Sequence, residues 1–278
     1  MLSNISNEKT GLKRNNLDKF YTKLEISKLC IDYVIKYLTI GENDIIIEPS
    51  AGSGAFSDEL SKHYKNIIAM DIEPSSDNII QQDYLTYIND DNQPIHIIGN
   101  PPFGRQSTLA KQFIKKSCTF CQSISFILPK SFKKTSFQKV FPLNFHNIFC
   151  IDLPDNSFLV NNIEYDVPCV FMIWLKKDQI RPKIISEGPL YYSYVKKSDD
   201  NIHFSIRRVG INAGVLYTNF ENCSEQSHYF IKLDKPNKLD KFIEEYQKIT
   251  YEFNNTVGPK SISKPELNNK LNKLNLNT

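Results

Sequence analysis

Apolar segments of strand length alternate with helical patterns from about residue 23 to residue 140, and this alternation restricts the fold more than any other feature of the sequence. The apolar runs are short and continuous, as in strands that are buried on both faces of a sheet. The segments between them repeat apolar residues at helical spacing, which predicts amphipathic helices. Strands that alternate with helices predict a parallel sheet with right-handed crossovers.

The last two strand-like runs of this block, 146–153 and 169–175, follow each other without a helix between them. They predict an antiparallel pair at the end of an otherwise parallel sheet of seven strands. From residue 178 onward the pattern changes to short strand-like pieces with turn signals, followed by one helix at about 238–251. The sequence therefore predicts an α/β fold with a small C-terminal α+β appendage.

This pattern divides the chain into four regions. Residues 1–16 are polar and patternless, which predicts a flexible N-terminal arm. The main α/β domain is expected over 17–177, and the smaller C-terminal region over 178–254. Residues 255–278 are rich in Asn and Lys, which predicts a disordered basic tail.

The composition is that of an ordinary soluble protein of 278 residues, with 40% hydrophobic and 23% charged residues. No apolar run approaches the ~20 residues of a membrane span, and the first residues resemble neither a secretory leader nor a transit peptide. We therefore expect an intracellular protein that is neither secreted nor bound to a membrane. The six cysteines are scattered rather than arranged as a disulfide framework, so reduced thiols are expected.

Four residues have a spacing close to that of a zinc site: Cys118, Cys121, His146 and Cys150. The first two fall late in a helical pattern and the other two flank a strand-like run, and these positions suit packing as well as ligation. Buried thiols are the favoured interpretation, and no metal is expected.

Glycine and acidic residues cluster where the predicted strands end. In open parallel sheets ligands bind at the carboxyl ends of the strands, so these residues are considered together. Gly52 and Gly54, in the loop P-S-A-G-S-G, allow the backbone to turn sharply and to approach a ligand closely. The helix that follows directs its N-terminal amides toward the same position. Glu48 and Asp71 are acceptors suited to an amine and to a ribose diol, respectively.

Two cofactors compete for this loop. Asp71 lies 19 residues after Gly52, close to the ~20 that separate the glycines from the ribose-binding acid of a nicotinamide-binding Rossmann turn. That motif would need a third glycine at the position of Ser57, and Glu48 has no role against a pyrophosphate. S-adenosylmethionine carries an amine and therefore fits Glu48 better.

The run I-G-N-P-P-F-G at 98–104 ends a predicted strand abruptly. Proline has no backbone N–H and biases the residue before it toward an extended conformation, so the chain leaves the sheet with carbonyl groups available as acceptors. The side-chain oxygen of Asn100 and such a carbonyl could hold both hydrogens of one planar amino group and direct its lone pair toward a methyl donor. Phe103 then offers a flat apolar face on which a base could stack.

These motifs resemble those of the class I S-adenosylmethionine-dependent methyltransferases of the N6-adenine type, which act on DNA or RNA. E-P-S-A-G-S-G (48–54) is similar to the family's cofactor loop, and N-P-P-F (100–103) to its catalytic tetrapeptide. F-Y-T (20–22) resembles the segment that closes over the cofactor's methionine end. The resemblance covers about 17–177 and implies a Rossmann-like methyltransferase fold and methylation of the adenine N6 amino group, with DNA as the favoured acceptor.

The resemblance also implies a set of site residues. Methyl transfer would depend on Asn100, Pro101, Pro102 and Phe103. The cofactor would be bound by Tyr21, Thr22, Glu48, Ser50, Gly52, Gly54, Asp71 and Asp83. The resemblance places Phe158 as a second aromatic residue near the base, and a purely structural role in the core is the alternative for it. Apart from the resemblance, the positive charge of the chain after the proline pair assigns Arg105, Lys130 and Lys133 to the acceptor. Independently, Thr22 and Glu25 have the spacing of a capping box at the start of a helix over about 23–38.

The charge distribution favours nucleic acid as the partner. From Arg105 to Ile151 the chain has eight cationic residues and no acidic residue, as a polyanionic substrate would require. Three alternatives remain open: adenine methylation of structured RNA, methylation of a protein glutamine amide, and a catalytically silent methyltransferase fold that binds nucleic acid. The oligomeric state is not predicted.

Overall fold

The computed structural model describes residues 20–90, 92–183, 187–253, 255 and 259–275. The chain forms two compact units. The first comprises Met1–Pro129 and Val140–Ile180, and the second comprises Lys130–Lys139 and Arg181–Thr278. The predicted arm at 1–16 lies outside the described residues.

In its described part, the first unit contains ten strands, three α-helices and two short 3-10 helices. The strands are β1 Tyr21–Thr22, β2 Ile45–Glu48, β3 Ile67–Asp71, β4 Ile80–Gln81, β5 Ile95–Gly99, β6 Ser123–Pro129, β7 Phe145–Asp152, β8 Phe158–Val160, β9 Ile163–Tyr165 and β10 Cys169–Lys176. The α-helices are α1 Leu24–Tyr37, α2 Ala55–Leu60 and α3 Thr108–Ser117, and the 3-10 helices span Tyr84–Thr86 and Arg105–Ser107.

Seven strands form one sheet in the order β4-β3-β2-β5-β6-β10-β7. The neighbours from β4 to β6 are parallel, whereas β10 is antiparallel to both β6 and β7. The sequence prediction is confirmed: this is the Rossmann-like methyltransferase fold, mainly parallel with an antiparallel last pair. The order reverses between β2 and β5, so the carboxyl ends of these strands border a crevice in which ligands bind in open α/β sheets.

The central strands are apolar because both faces of the sheet are covered. Every residue of β5 and β6 is buried. The inner face of α1 packs on the sheet through Ile26, Cys30 and Val34, which are each at most 5% exposed. This packing holds the start of α1 next to the ends of the strands.

A second, small sheet in the first unit has the order β1-β8-β9. The hairpin β8–β9 comes from the segment between β7 and β10, and β8 pairs with β1 so that Tyr21 faces Leu159 and Thr22 faces Phe158. The F-Y-T segment is therefore held by a hairpin that the sequence pattern did not predict.

The second unit contains a four-stranded antiparallel sheet in the order β11-β14-β12-β13. Its elements are α4 Thr135–Gln138, β11 Tyr192–Val195, β12 Phe204–Arg207, β13 Leu216–Tyr217, β14 His228–Leu233, α5 Leu239–Tyr246 and α6 Lys264–Leu271, with 3-10 helices at Lys130–Lys133 and Pro236–Lys238. The core of this unit joins the sheet to α5 and α6 through buried side chains that include Phe204, Phe242 and Leu267.

The structure differs from the expectation of a disordered tail over 255–278. Helix α6 occupies Lys264–Leu271, and Leu267 and Leu271 are both 0% exposed. The Ser263 side chain and the Glu266 side chain close a capping box at its start. The segment is polar overall, but the burial of two leucines and the capped helix N-terminus offset the conformational entropy that is lost when it folds.

Within the described ranges, no helix has both the length and the apolar character needed to cross a membrane. The four nominal zinc ligands do not form a site: no group of three or more metal-ligating side chains occurs among the described residues. Cys121 is buried, and its burial raises the pKa of the thiol. His146 is instead hydrogen-bonded through Nε2 to the carbonyl oxygen of Gln179, at 2.6 Å.

Candidate active site

A cavity of about 260 Å³ lies in the first unit where the carboxyl ends of β2, β3 and β5 meet. It brings together most of the residues that the sequence singled out. These lining residues are Tyr21, Ser50, Gly52, Asp71, Asp83, Asn100, Pro101, Pro102 and Phe103. The volume is close to the ~300 Å³ at the lower end of the range for small-molecule sites.

The glycine loop forms one wall of the cavity. Gly52 has a φ of 54° and Gly54 a φ of 90°, values in the left-handed region that favours glycine. A Cβ atom on Gly52 would lie 3.2 Å from Cε1 of Tyr21. The loop and the β1 segment therefore approach each other so closely that only a glycine fits without displacing the tyrosine ring. Gly54 does not line the cavity; it is the N-cap residue of α2.

Asp71 lines the cavity and also fixes the glycine loop. Its Oδ2 accepts a hydrogen bond from the backbone N–H of Gly52 and its Oδ1 accepts one from that of Glu73, both at 2.8 Å. Each carboxylate oxygen can accept a further hydrogen bond, which is what recognition of a diol requires.

Asp83 lines the cavity at the next strand end. Its Oδ1 accepts a hydrogen bond of 2.9 Å from the backbone N–H of Leu85 and caps the 3-10 helix Tyr84–Thr86. The aspartate is thereby held in one orientation, and its carboxylate oxygens can still accept further hydrogen bonds.

Glu48 is not on the cavity wall, contrary to the sequence expectation. It is 1% exposed, and its Oε2 accepts a hydrogen bond of 2.8 Å from the backbone N–H of Ser57, in the first turn of α2. Burial raises the pKa of this carboxyl from its usual 4.5 to about 8, although the bond to Ser57 opposes the shift. The acid at the end of β2 thus caps a helix, because the loop returns the start of α2 directly over it.

Asn100 is held in place through its backbone carbonyl and its side-chain nitrogen. Its backbone carbonyl accepts a hydrogen bond from Oγ of Ser50 at 3.0 Å. Its Nδ2 donates to the carbonyl oxygen of Phe20 at 3.3 Å and to Oγ1 of Thr22 at 3.1 Å. Its Oδ1 is buried and has no hydrogen-bond partner among the described residues. A buried, unpartnered acceptor is costly, so this atom marks a position for a donor.

Thr22 does not cap α1, although its spacing to Glu25 suggested a capping box. The N-cap residue of α1 is Lys23, which makes no side-chain capping bond. Thr22 is 8% exposed, lies outside the cavity wall, and its hydroxyl oxygen accepts the hydrogen bond from Asn100 instead.

The aromatic residues of the site are Phe103 and Phe20. Phe103 is 7% exposed, lines the cavity, and its ring centroid lies 6.2 Å from that of Phe20. Phe20 also lines the cavity, and sequence reasoning did not assign it a role of its own. Its position in F-Y-T, one residue before Tyr21, was the available signal.

Phe158 is not a residue of the cavity wall. It is 0% exposed, and its ring packs edge-on against Phe20 with centroids 6.2 Å apart. Because Phe158 is paired with Thr22 in the small sheet, its ring is turned into the core beneath the site rather than into the cavity.

The predicted cationic residues do not come together in one unit. Arg105 is exposed in the 3-10 helix that follows Gly104, in the first unit. Lys130 and Lys133 belong to the second unit.

Other lining residues had little or no sequence signal. Ile72 directly follows Asp71, Leu85 lies two residues after Asp83, and Leu109 and Phe113 lie one turn apart on α3. Apolar residues on a helix predict only a buried face, so the sequence could not separate a cavity wall from the core.

Part of the chain is similar in sequence to Type II methyltransferases. It is 34% identical over 103 residues to the Type II methyltransferase M.HincII of Haemophilus influenzae. It is 33% identical over 107 residues to the Type II methyltransferase M.CvrRI of Paramecium bursaria Chlorella virus XZ-6E. These matches cover 36% and 34% of this chain but only 20% and 27% of the two relatives, so the chain spans about a quarter or less of the curated relatives it matches.

Among solved structures, a candidate class I S-adenosylmethionine-dependent methyltransferase from Listeria monocytogenes is similar with a TM-score of 0.44 at 16% identity. The similarity covers 59% of this chain and 64% of the other. No protein-family model matches the chain.

Proposed function

We propose that this chain transfers a methyl group from S-adenosylmethionine to the N6 amino group of adenine in nucleic acid, with DNA as the preferred acceptor. The observation that carries this proposal is the buried Oδ1 of Asn100, an acceptor without a partner among the described residues. It lies at the carboxyl end of β5, in a residue that lines the cavity.

The acceptor group is inferred from the chemistry of Asn100. An oxygen that is held in place by its neighbours can accept a hydrogen from an amino group, and Pro101 removes the backbone N–H that would otherwise compete. The lone pair of an aromatic amine is conjugated with the ring and is a poor nucleophile. Holding its hydrogens outside the ring plane would make the nitrogen more nucleophilic. Orientation of this kind accounts for much of the rate in transfer reactions.

The cofactor is inferred from other residues that line the same cavity. When bound, S-adenosylmethionine supplies an electrophilic methyl group on its sulfonium. Gly52 leaves space that a Cβ atom would fill, while Asp71 and Asp83 present carboxylate oxygens to the cavity in fixed orientations. These residues suit the ribose hydroxyls and the adenine amine of such a ligand. Glu48, because it is buried, would act through α2 and the loop rather than by direct contact.

A flat acceptor is favoured by the aromatic residues. Phe103 and Phe20 both line the cavity, and stacking on a phenyl ring suits any base. A glutamine amide is also planar but has a much smaller face. The sequence from Arg105 to Ile151, which has no acidic residue, supports a nucleic acid over a protein acceptor.

The test is incubation with tritiated S-adenosylmethionine and four acceptors: unmethylated duplex DNA, single-stranded DNA, structured RNA and a glutamine-bearing release factor. Nucleoside analysis of the product should place the label on N6-methyladenine, and mainly in the DNA samples. Asn100→Ala should lower the transfer rate by roughly a hundred-fold or more, because orientation of the amine is lost, while the cofactor affinity measured by calorimetry stays within a few-fold of the original.

Asn66→Ala is the matched control, because Asn66 is exposed at the other end of the sheet, before β3. It should leave the transfer rate unchanged. Label found only in protein would contradict adenine as the acceptor. Absence of cofactor binding would indicate a silent fold.

A further inference from the structure

We infer that Thr22 is a positioning residue that fixes the side-chain amide of Asn100 with its oxygen directed at the acceptor amine. This inference rests on the proposed function. Thr22 would thus orient the side chain that holds the acceptor, whereas the sequence suggested that it contacts the cofactor.

The orientation of the Asn100 amide is determined by the carbonyl of Phe20. A carbonyl oxygen can only accept a hydrogen bond, so the amide atom 3.3 Å from it must be the nitrogen Nδ2. The second hydrogen of Nδ2 is then available to Oγ1 of Thr22, at 3.1 Å. Both donors of the amide are used on the β1 side, and Oδ1 must point away from that strand.

Thr22 is itself held in place by the small sheet. It is 8% exposed, and its partner across the antiparallel pair β1–β8 is Phe158, which is 0% exposed. The next residue, Lys23, donates its backbone N–H to the carbonyl of Ser157 at 3.2 Å. The hydroxyl of Thr22 therefore occupies a fixed position, as a residue that orients a reacting group requires.

The backbone of Asn100 is fixed from another side. Oγ of Ser50, in the glycine loop, donates to the Asn100 carbonyl oxygen at 3.0 Å. The backbone is thus tied to the glycine loop and the side chain to β1, while the side-chain oxygen Oδ1 has no hydrogen-bond partner among the described residues. Loss of the Thr22 hydroxyl would leave one N–H of the amide unpaired and the amide held only by its 3.3 Å bond to the carbonyl of Phe20, so its oxygen would be less precisely oriented.

The experiment compares Thr22→Val, which keeps the volume but removes the acceptor, with Thr22→Ser, which keeps the hydroxyl. Transfer of the tritiated methyl group to unmethylated duplex DNA is measured under saturating cofactor. Thr22→Val should lower kcat by about ten-fold or more. The unpaired N–H of the Asn100 amide would leave its oxygen poorly oriented toward the acceptor amine, and a loss of about 1.4 kcal/mol in the transition state corresponds to a ten-fold lower rate. The Kd for S-adenosylmethionine, measured by calorimetry, should change less than two-fold, and Thr22→Ser should recover most of the lost rate.

Thr119→Val is the matched control, because Thr119 is exposed after α3 and its hydroxyl donates to the nearby carbonyl of Lys116. Melting temperatures show whether the variants are folded. If Thr22→Val does not fold, Thr22→Cys provides the same comparison with Thr22→Ser, since a thiol is a weak acceptor of similar size.

The outcomes separate the two proposals. A wild-type protein that methylates DNA together with a fully active Thr22→Val variant would overturn the positioning role and leave the proposed function intact. A loss of cofactor affinity that matches the loss of rate would also overturn it, because Thr22 would then be a cofactor contact. A wild-type protein that binds the cofactor but methylates none of the four acceptors would overturn the proposed function, and the positioning role with it.

Discussion

Asp71 Oδ2 accepts a hydrogen bond of 2.8 Å from the backbone N–H of Gly52, so the last residue of β3 fixes the loop that follows β2. The other carboxylate oxygen accepts a bond from the backbone of Glu73. The aspartate therefore performs two tasks: it shapes the cavity wall and presents acceptors to the cavity.

The first prediction concerns this double role of Asp71. In Asp71→Asn, one carboxylate oxygen is replaced by an NH2 group, which cannot accept a hydrogen bond. One of the two bonds from the backbone of Gly52 and Glu73 is therefore lost. The other bond is weakened, because the remaining oxygen belongs to a neutral amide. We expect the affinity for S-adenosylmethionine, measured by calorimetry, to fall about ten-fold or more. Asp77→Asn is the control, because Asp77 is exposed beyond the cavity wall. An unchanged Kd in Asp71→Asn would show that this aspartate does not support the cofactor site.

The second prediction concerns Gly52. In Gly52→Ala, the new Cβ would lie 3.2 Å from the ring of Tyr21, and the residue would have to keep a φ of 54°. We expect a loss of stability of about 1 kcal/mol or more and weaker cofactor binding, measured by urea unfolding and calorimetry. Gly188→Ala is a matched control, because among the described residues no heavy atom other than those of Gly188 and its chain neighbours lies within 4 Å of the added methyl group. Equal effects of the two substitutions would contradict a specific fit at Gly52.

The third prediction concerns the pH dependence that Glu48 confers. Its pKa is raised from 4.5 to about 8 in the folded protein, so between these pH values the folded state binds more protons than the unfolded state. The free energy of unfolding should therefore decrease as the pH rises from about 4.5 to about 8, by up to about 1.4 kcal/mol per pH unit.

Glu48→Gln should remove this part of the pH dependence, because the amide does not ionise but can still accept the bond from Ser57. The variant should gain stability relative to the wild type as the pH rises toward 8, as measured by urea unfolding at pH 5 and pH 8. Glu42→Gln, at an exposed position before β2, is the control. Parallel pH profiles for wild type and Glu48→Gln would show that the burial of Glu48 is not reflected in stability.

The sheet and the cavity could be predicted because they depend on local patterns. The parallel strands are mainly apolar, and each ends at a polar residue, a glycine or a proline: Glu48, Asp71, Gln81, Gly99 and Pro129. Such a pattern places Asp71, Asp83 and Asn100 at one edge of the sheet without any knowledge of tertiary contacts.

The roles of Thr22 and Phe158 could not be predicted in the same way. They face each other in the small sheet although 136 positions separate them in the chain (158 − 22). Strand pairs as short as β1 and β8 carry no usable periodicity, and local spacing favoured a helix cap for Thr22. The prediction of a direct cofactor contact for Glu48 failed for a related reason. The path of the loop between β2 and α2 determines whether this acid faces the helix or the cavity, and local sequence does not reveal that path.

Helix α6 shows the limit of composition as a predictor. The sequence S-K-P-E at 263–266 has a capping-box spacing with a proline in the first turn, but the surrounding Asn and Lys residues suggested disorder. The local motif proved more informative than the composition of the segment.

The last prediction tests whether α6 is part of the folded second unit. Leu267 is 0% exposed in the core that joins α6 to the sheet, so Leu267→Ala should lower the free energy of unfolding by about 2–5 kcal/mol. Urea unfolding followed by far-UV circular dichroism measures this change. Leu190→Ala is the matched control, because Leu190 belongs to the same unit but is 66% exposed. If the tail were disordered, both substitutions would leave stability unchanged, whereas a docked helix requires that only Leu267→Ala destabilises the protein.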